Sequence, residues 1–451
     1  MKILLLVHYF PPLNQIGSLR AAHWAKYWAK AGVQVHVLTT RKHPVDSPLD
    51  LTLQLPDSVK IWEVDYDLPY FYRLAKRFEA PPTHGHALNP ANQHTTPKAF
   101  RIIRKNVLSA FGSLASPTLL WYRRGLAAAE RLLHTHQHPL LLSSFYPPVT
   151  HLVASALKRR HPSLFWVADF RDLWVGNPIF PARKPFAWIE RILENATVGK
   201  RADLLVTVSE PLAQSLAARH RKRVLVVENG FDPEEFPDWE DRLLPAKLRA
   251  APSRKPKIIT YTGTVYAEYR DPTPLFRAVK RICEANHITP EDLRIKFLGA
   301  RLGTVLHLAR REHVECFVLV EGHVSRPHAL QVQAESDALL LLGDDQPQSR
   351  GILTGKVFEY LVSGRPILAI GFAQDSSVDV LLRTTRTGIN CGKDVDRIAA
   401  FLMELVQTGT WHGFRPQIDG IRQYSRAEQA KRLLDIVMHE WQHSVPASHC
   451  G

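Results

Sequence analysis

The amino-acid sequence predicts an α/β protein made of two doubly wound, parallel-sheet domains. Continuous apolar runs of strand length recur and alternate with helix-length segments, the pattern of parallel strands covered on both faces by helices. The alternation stops over residues 241–257, where Lys, Arg, Pro and Ala replace the apolar runs, and then resumes. At 451 residues the chain also exceeds the size at which a single core keeps growing.

Residues 3–7 read as the first strand, 8–17 as a loop, 18–31 as a helix closed by Gly32, and 33–38 as the second strand, together one βαβ unit. The first apolar run leads directly into His8, Tyr9 and Pro11 with no small-residue cleavage site, so a buried strand fits better than an export signal. Over 41–125 the rhythm weakens and Pro, His and Asn gather at 81–97, the mark of a long, partly irregular insertion. It returns with strand 140–142, helix 149–160, strands 164–168 and 204–208, helix 211–219 and strand 224–227, ending on Glu228-Asn229-Gly230. Beyond the linker come strands 258–261, 294–298, 317–320, 338–342 and 367–370. The expected domains are 1–240 and 258–424, joined by the linker 241–257, with a helix at about 425–451 as a candidate to pack back on the first domain. No apolar stretch approaches membrane-spanning length.

Hydrophobic residues at 45% and charged residues at 22% argue against a largely disordered chain. With 58 Lys and Arg against 43 Asp and Glu, the formal charge of +15 points to anionic partners: nucleic acid, an acidic membrane surface or phosphorylated small molecules. No recognition motif or aromatic-basic platform accompanies the charge, which sets nucleic acid aside. No G-x-G-x-x-G follows the first strand, which sets a dinucleotide oxidoreductase aside. Cys283, Cys316, Cys391 and Cys450 lack metal-ligand or redox spacing and read as free thiols in a reducing compartment. His134, His136 and His138 would share a face if they lay on one strand, but no carboxylate or Cys completes a metal site, so a solvated polar segment is expected. Between Lys98 and Arg131 stand seven Lys and Arg and one carboxylate, Glu130. On a helical reading Ile103, Val107, Ala110 and Phe111 share a face away from Arg101, Arg104 and Lys105; that face either joins the core or lies on an anionic bilayer.

Open parallel sheets bind ligands beyond the C-terminal ends of their strands. In the first domain those positions are 8–17, 143–148, 169–174, 209–210 and 228–230; in the second they are 263–271, 299–303, 322–326, 343–354 and 371–376. The most informative run is Gly351-Ile-Leu-Thr-Gly-Lys-Val-Phe-Glu359, which continues to Pro366 before the strand 367–370. It reads as a glycine-bearing loop entering a helix at Thr354 and Gly355, with Thr354 as a cap, Lys356 adding a positive charge in the first turn, and Glu359 one turn later in reach of a ribose diol. The alternative is an ordinary capped helix with a Lys/Glu i,i+3 pair.

This run resembles the donor-binding signature of glycosyltransferase family 4, and the likeness extends along nearly the whole chain. Tyr9-Phe10-Pro11-Pro12 with Gly17-Ser18 and Arg20 resembles the family's N-terminal loop, and Asp169-Phe-Arg-Asp172-Leu-Trp174 its central acidic loop. Val206-Thr-Val-Ser209-Glu210 and Glu228-Asn229-Gly230-Phe231-Asp232 resemble the next two, and Tyr261-Thr-Gly263-Thr264-Val-Tyr266 the opening of the donor domain.

The resemblance implies a GT-B fold, two Rossmann-like domains facing a central cleft, with nucleotide held by the C-terminal domain and acceptor by the N-terminal one. It also implies retention at the sugar, no cofactor beyond a nucleoside-diphosphate sugar as donor substrate, and no bound metal; none of the predicted strands is followed by an Asp-x-Asp suited to holding a divalent ion with a diphosphate. Glu359 matches the second glutamate of the family's E-x7-E pattern and would bind ribose; the first is replaced by Gly351, preceded by Arg350. The family's diphosphate-binding Arg and Lys are replaced around Thr264 and Tyr269, leaving Lys356 and Arg270 to supply the charge beside Gly263 and Thr264. In the first domain Asp169, Arg171 and Asp172 stand where the family places a residue near the reacting sugar, Asp172 being the choice for touching sugar or acceptor. An Arg between two carboxylates is equally a structural salt-bridge knot. The Gly17-Ser18 turn opens the first helix, either as a phosphate site or as a simple cap.

The expected function is a retaining, metal-independent hexosyltransferase that moves a sugar from a nucleotide sugar to a glycan or a polyprenyl-phosphate-linked acceptor in polysaccharide or glycolipid synthesis. Its expected place is the cytoplasm, peripheral on the inner face of the plasma membrane. The alternatives are a sugar-nucleotide epimerase or hydrolase of the same fold, and a non-catalytic partner subunit.

Overall fold

The computed structural model describes residues 1–43, 49–67, 111–177, 182–244, 256–266, 269–285, 287–300 and 302–444. The chain divides into two compact units, Met1–Val208 with Leu212–Val227 and Ala430–Gly451, and Ser209–Pro211 with Glu228–Gln429.

The first unit is built on seven parallel strands: β1 (Lys2–Val7), β2 (Gln34–Thr40), β3 (Lys60–Val64), β4 (Leu140–Phe145), β5 (Phe165–Phe170), β6 (Leu204–Thr207) and β7 (Val224–Val226). Their order is β3-β2-β1-β4-β5-β6-β7. The chain winds outward on one side through β2 and β3 and on the other through β4 to β7, so the winding reverses between β1 and β4, where Leu4 pairs with Leu141. The intervening helices are α1 (Ile16–Lys30), α2 (Tyr122–His136), α3 (Val149–Arg160), α4 (Phe186–Glu194) and α5 (Glu210–His220). Apolar side chains alternate along the strands into two cores: Ile3, Leu5 and Val7 pack with Trp24 and Trp28 of α1, while Leu4 and Leu6 pack with Trp166 and the apolar residues of α2 and α3.

The second unit carries α6 (Trp239–Arg242) and the parallel strands β8 (Lys257–Thr262), β9 (Leu293–Leu298), β10 (Val318–Glu321), β11 (Ala338–Leu342), β12 (Ile367–Ile370) and β13 (Gly388–Asn390), in the order β10-β9-β8-β11-β12-β13. Its reversal lies between β8 and β11. Helices α7 (Thr273–Glu284), α8 (Leu302–Arg311), α9 (Arg326–Glu335), α10 (Gly355–Leu361), α11 (Ser377–Thr385), α12 (Val395–Thr408), α13 (Ile418–Arg422) and α14 (Arg426–Ser444) complete the chain. Ala430, Leu433 and Val437 of α14 belong to the core of the first unit, where Trp28 Nε1 donates to the Ala430 carbonyl at 2.8 Å.

Three sequence expectations change. The insertion over 41–125 contains β3, an edge strand in which Lys60 and Glu63 interrupt the apolar run that marks the inner strands. His134 and His136 lie in the last turn of α2, not on a strand, and His138 is buried rather than solvated, with its Nε2 2.7 Å from His36 Nδ1. Burial holds His36 at about 4 and His138 at about 3, so both are neutral and share that bond. β13, only three residues long, gave no strand signal. Residues 98–110, including Arg101, Ile103, Arg104, Lys105, Val107 and Ala110, lie outside the described residues, as do 245–255 of the linker and Cys450. No helix among the described residues is long and apolar enough to cross a membrane.

Candidate functional site

In the second unit the residues singled out by sequence converge on the C-terminal end of β8, at the point where the winding reverses. Thr262, the last residue of β8, is the hub. Its amide and hydroxyl each lie 3.1 Å from Tyr360 Oη, and Gln333 Nε2 donates to its hydroxyl at 3.1 Å, which fixes α10 and α9 to the strand. Lys356, the second residue of α10, reaches back so that Nζ donates to the Thr262 carbonyl at 2.5 Å and lies 4.0 Å from the Tyr261 ring centroid. Gly263, at φ +123°, makes this approach feasible: a Cβ there would meet Lys356 Nζ at 2.6 Å.

Lys356 forms no ion pair among the described residues. Burial lowers its pKa to about 7, the neighbouring Arg270 charge presses the same way, and Glu359 opposes them. Arg270 Nη1 donates to the Thr264 carbonyl at 3.2 Å and its guanidinium lies 5.5 Å from the Tyr266 ring. Two cationic groups therefore share one strand end, stabilised by carbonyls and aromatic faces rather than by carboxylates.

Glu359 lies one turn beyond Lys356 and is half-buried, and its Oε1 accepts from Arg326 Nη1 at 2.6 Å. Arg326 opens α9 and also grips Glu235 with two bonds, Nε to Oε1 at 2.8 Å and Nη2 to Oε2 at 3.0 Å. Neither Arg326 nor Glu235 was assigned a role from sequence, although Arg326 falls inside the strand-end segment 322–326. Thr354 occupies the N-cap of α10 with extended backbone, but its side chain makes no capping bond, contrary to the sequence expectation; Gly355 is the first helical residue.

In the first unit the strand-end residues form a tighter arrangement. Asp169, at 0% exposure, pairs with Arg20 Nη2 at 2.8 Å and accepts from Ser144 Oγ at 2.6 Å. Arg171 does not bridge two carboxylates; it pairs with Asp172, Nε to Oδ2 3.1 Å, and its guanidinium lies 4.7 Å from the Tyr9 ring. It also fills the space beside Gly17, where a Cβ would overlap Arg171 Nη1 at 1.5 Å. Gly17 and Ser18 lie inside α1, which begins at Ile16, and Ser18 is buried with no partner for its hydroxyl among the described residues. Of the three acidic-loop candidates, Asp172 has the most exposed side chain, 40% against 16% for Arg171 and 0% for Asp169. Among the described residues no group of three metal-ligating side chains could hold an ion.

No protein-family model matches the sequence, and no curated protein matches it. Solved structures do resemble it. Sucrose-phosphate synthase from Thermosynechococcus elongatus superposes with a TM-score of 0.61 at 12% identity, over 98% of this chain and 100% of that one. A glycosyltransferase from Rickettsia africae gives 0.59 at 14% identity over 98% and 99%. HepE from Anabaena in complex with UDP gives 0.60 at 11% identity over 97% and 100%. These likenesses run the length of the chain, and with the two parallel sheets of seven and six strands they identify its architecture as the GT-B fold of two Rossmann-like domains.

Proposed function

We propose that the chain is a retaining glycosyltransferase that uses a nucleoside-diphosphate sugar and passes the sugar to a glycan or a polyprenyl-phosphate-linked acceptor in polysaccharide or glycolipid synthesis. One observation carries the reading: Lys356 and Arg270 sit together at the winding reversal of the second sheet, with Glu359 one helical turn away. Two like charges brought together at a strand end are stabilised by an anion, and a diphosphate matches them in charge. Solved structures of HepE in complex with UDP, with UDP and glucose, and with UDP-glucose agree with a nucleotide sugar as the ligand class. In this reading the bond between the anomeric carbon and the diphosphate oxygen breaks, Lys356 and Arg270 offset the charge that develops on that oxygen, and the acceptor oxygen bonds to the anomeric carbon from the same face while its hydroxyl proton passes to the departing diphosphate. Glu359 accepts from the ribose hydroxyls, and in the first unit Asp172 is the candidate for touching sugar or acceptor. Gly263, Thr264, Thr354 and Gly355 supply backbone close to the phosphates, without a metal.

The test is direct. A panel of nucleoside diphosphates read by thermal shift should stabilise the wild type through at least one base, and sugar transfer should be lost in Lys356→Ala and Glu359→Ala with circular dichroism unchanged. Wild-type transfer in both variants overturns the site. The missing first glutamate, Gly351, favours one second reading, a non-catalytic partner subunit, which predicts no stabilisation by any member of the panel.

A further inference from the structure

We propose that the outward face of α4 in the first unit is a docking surface for an anionic lipid bilayer. This deepens the reading above by naming where a lipid-linked acceptor would be approached, and its physical basis is independent of the nucleotide site.

α4 packs Leu193 on the core but otherwise buries acids and exposes its largest apolar side chain. Its inward side carries two carboxylates, Glu190 at 2% and Glu194 at 0% exposure, while Trp188 at 65% and Ile192 at 44% face solvent one turn apart. The carboxylates are held by specific partners. Glu190 Oε1 accepts from the Ser113 amide at 2.7 Å and from the Ser113 hydroxyl. Glu194 Oε1 lies 2.8 Å from Arg219 Nη1 and 2.9 Å from His220 Nε2, and Oε2 accepts from the Val175 amide at 3.0 Å. Burial raises the Glu190 carboxyl above its ordinary range; at Glu194 burial pushes the same way but His220 and Arg219 outweigh it. The helix is thus oriented by its polar contacts, at the expense of leaving out of the core two large side chains whose burial would contribute about 1.5–3 kcal/mol each.

An apolar face fixed outward in this way is a surface kept for an occupant. The face is broadened by Phe111, whose ring lies 4.1 Å from Phe186, and rimmed by Arg183, Lys184 and Arg191, all exposed. An indole and aliphatic side chains ringed by cations match the boundary between acyl chains and anionic headgroups: the rings enter the boundary and the cations meet the phosphates. The strand-end loop places the face suitably. β5 ends at Phe170, Arg171 and Asp172 follow, and the Val175 amide bonds Glu194 of α4, so the docking face and the acceptor-side pair share one end of the sheet.

The test is co-sedimentation of the full chain with phosphatidylcholine vesicles, with and without phosphatidylglycerol. Wild type should bind the anionic vesicles, and Trp188→Ser/Ile192→Ser should lower that partitioning by about tenfold or more. Arg183→Gln/Lys184→Gln/Arg191→Gln should remove the preference for anionic over neutral vesicles. Val380→Ser, at an exposed apolar position in the second unit, should change nothing. Undiminished binding by the Trp188/Ile192 variant overturns the proposal, as does absence of wild-type binding, or a loss of self-association rather than of vesicle binding, which would assign the face to a second copy. Nucleoside-diphosphate thermal shifts in the same samples separate the two readings: vesicle results as expected with no nucleotide response leave the docking face standing and the transferase reading overturned.

Discussion

The candidate strand ends of the two sheets are both rich in charge, and they treat that charge in opposite ways. In the first unit Asp169 is sealed between Arg20 and Ser144, and Arg171 is matched by Asp172 and a tyrosine ring. In the second, Lys356 and Arg270 lean on carbonyls and aromatic rings, and Glu359, one turn beyond Lys356, is drawn off by Arg326. A charge matched from within holds a fold together, whereas a charge without a counter-ion is completed by a ligand. The contrast separates the salt-bridge knot in the first unit from the candidate anion site in the second.

Substitutions can break this contrast, and the largest effect is expected at the knot. Arg20→Ala leaves a buried carboxylate unpaired and should destabilise the first unit by about 3–5 kcal/mol, measured by denaturant unfolding. A loss below about 1 kcal/mol would show that Asp169 is not a sealed charge. Lys356→Ala should leave unfolding close to wild type and reduce sugar transfer by about a hundredfold, roughly 3 kcal/mol of charge stabilisation. A large stability loss with unchanged transfer would reverse the roles assigned to the two ends.

Arg326→Ala sharpens the comparison, since it frees Glu359 from the Glu235–Arg326 chain. The nucleotide KM should rise by about tenfold with kcat little changed, and discrimination between ribose and 2′-deoxyribose nucleotides should shrink, with partial recovery in Arg326→Lys. The smallest effect is one of pH. Lys356 begins to lose its proton near pH 7 in the empty site, and a bound diphosphate holds that proton on. Raising the pH from 7 to 9 should therefore weaken nucleoside-diphosphate binding by less than about tenfold per pH unit, and calorimetry should find the dependence flattened in Lys356→Arg.

Much of the fold was legible because burial on both faces leaves its mark as an unbroken apolar run: helix 149–160 and strands 338–342 and 367–370 coincide with their predicted bounds. β3 and β13 were not legible, one being a half-exposed edge and the other three residues long. The site residues of α10 were visible as a glycine-bearing loop before a helix with Lys356 and Glu359 one turn apart. Which charges meet across the sheet was not. Nothing local in the sequence ties Arg326 to Glu235 and Glu359, 91 and 33 residues away, or sends Asp169 to Arg20 rather than to its near neighbour Arg171. α4 was given no element in the sequence reading, and its apolar periodicity alone cannot say whether the face it marks looks inward.

The last helix sets a limit on how this chain is made. Ala430, Leu433 and Val437 close the core against Trp28, so the sheet that contains β1 lacks one covering wall until α14 has been synthesised. Vectorial folding of the amino-terminal half is therefore incomplete by construction, and a fragment cut before Ala430 would expose the indole of Trp28 as a nucleus for aggregation.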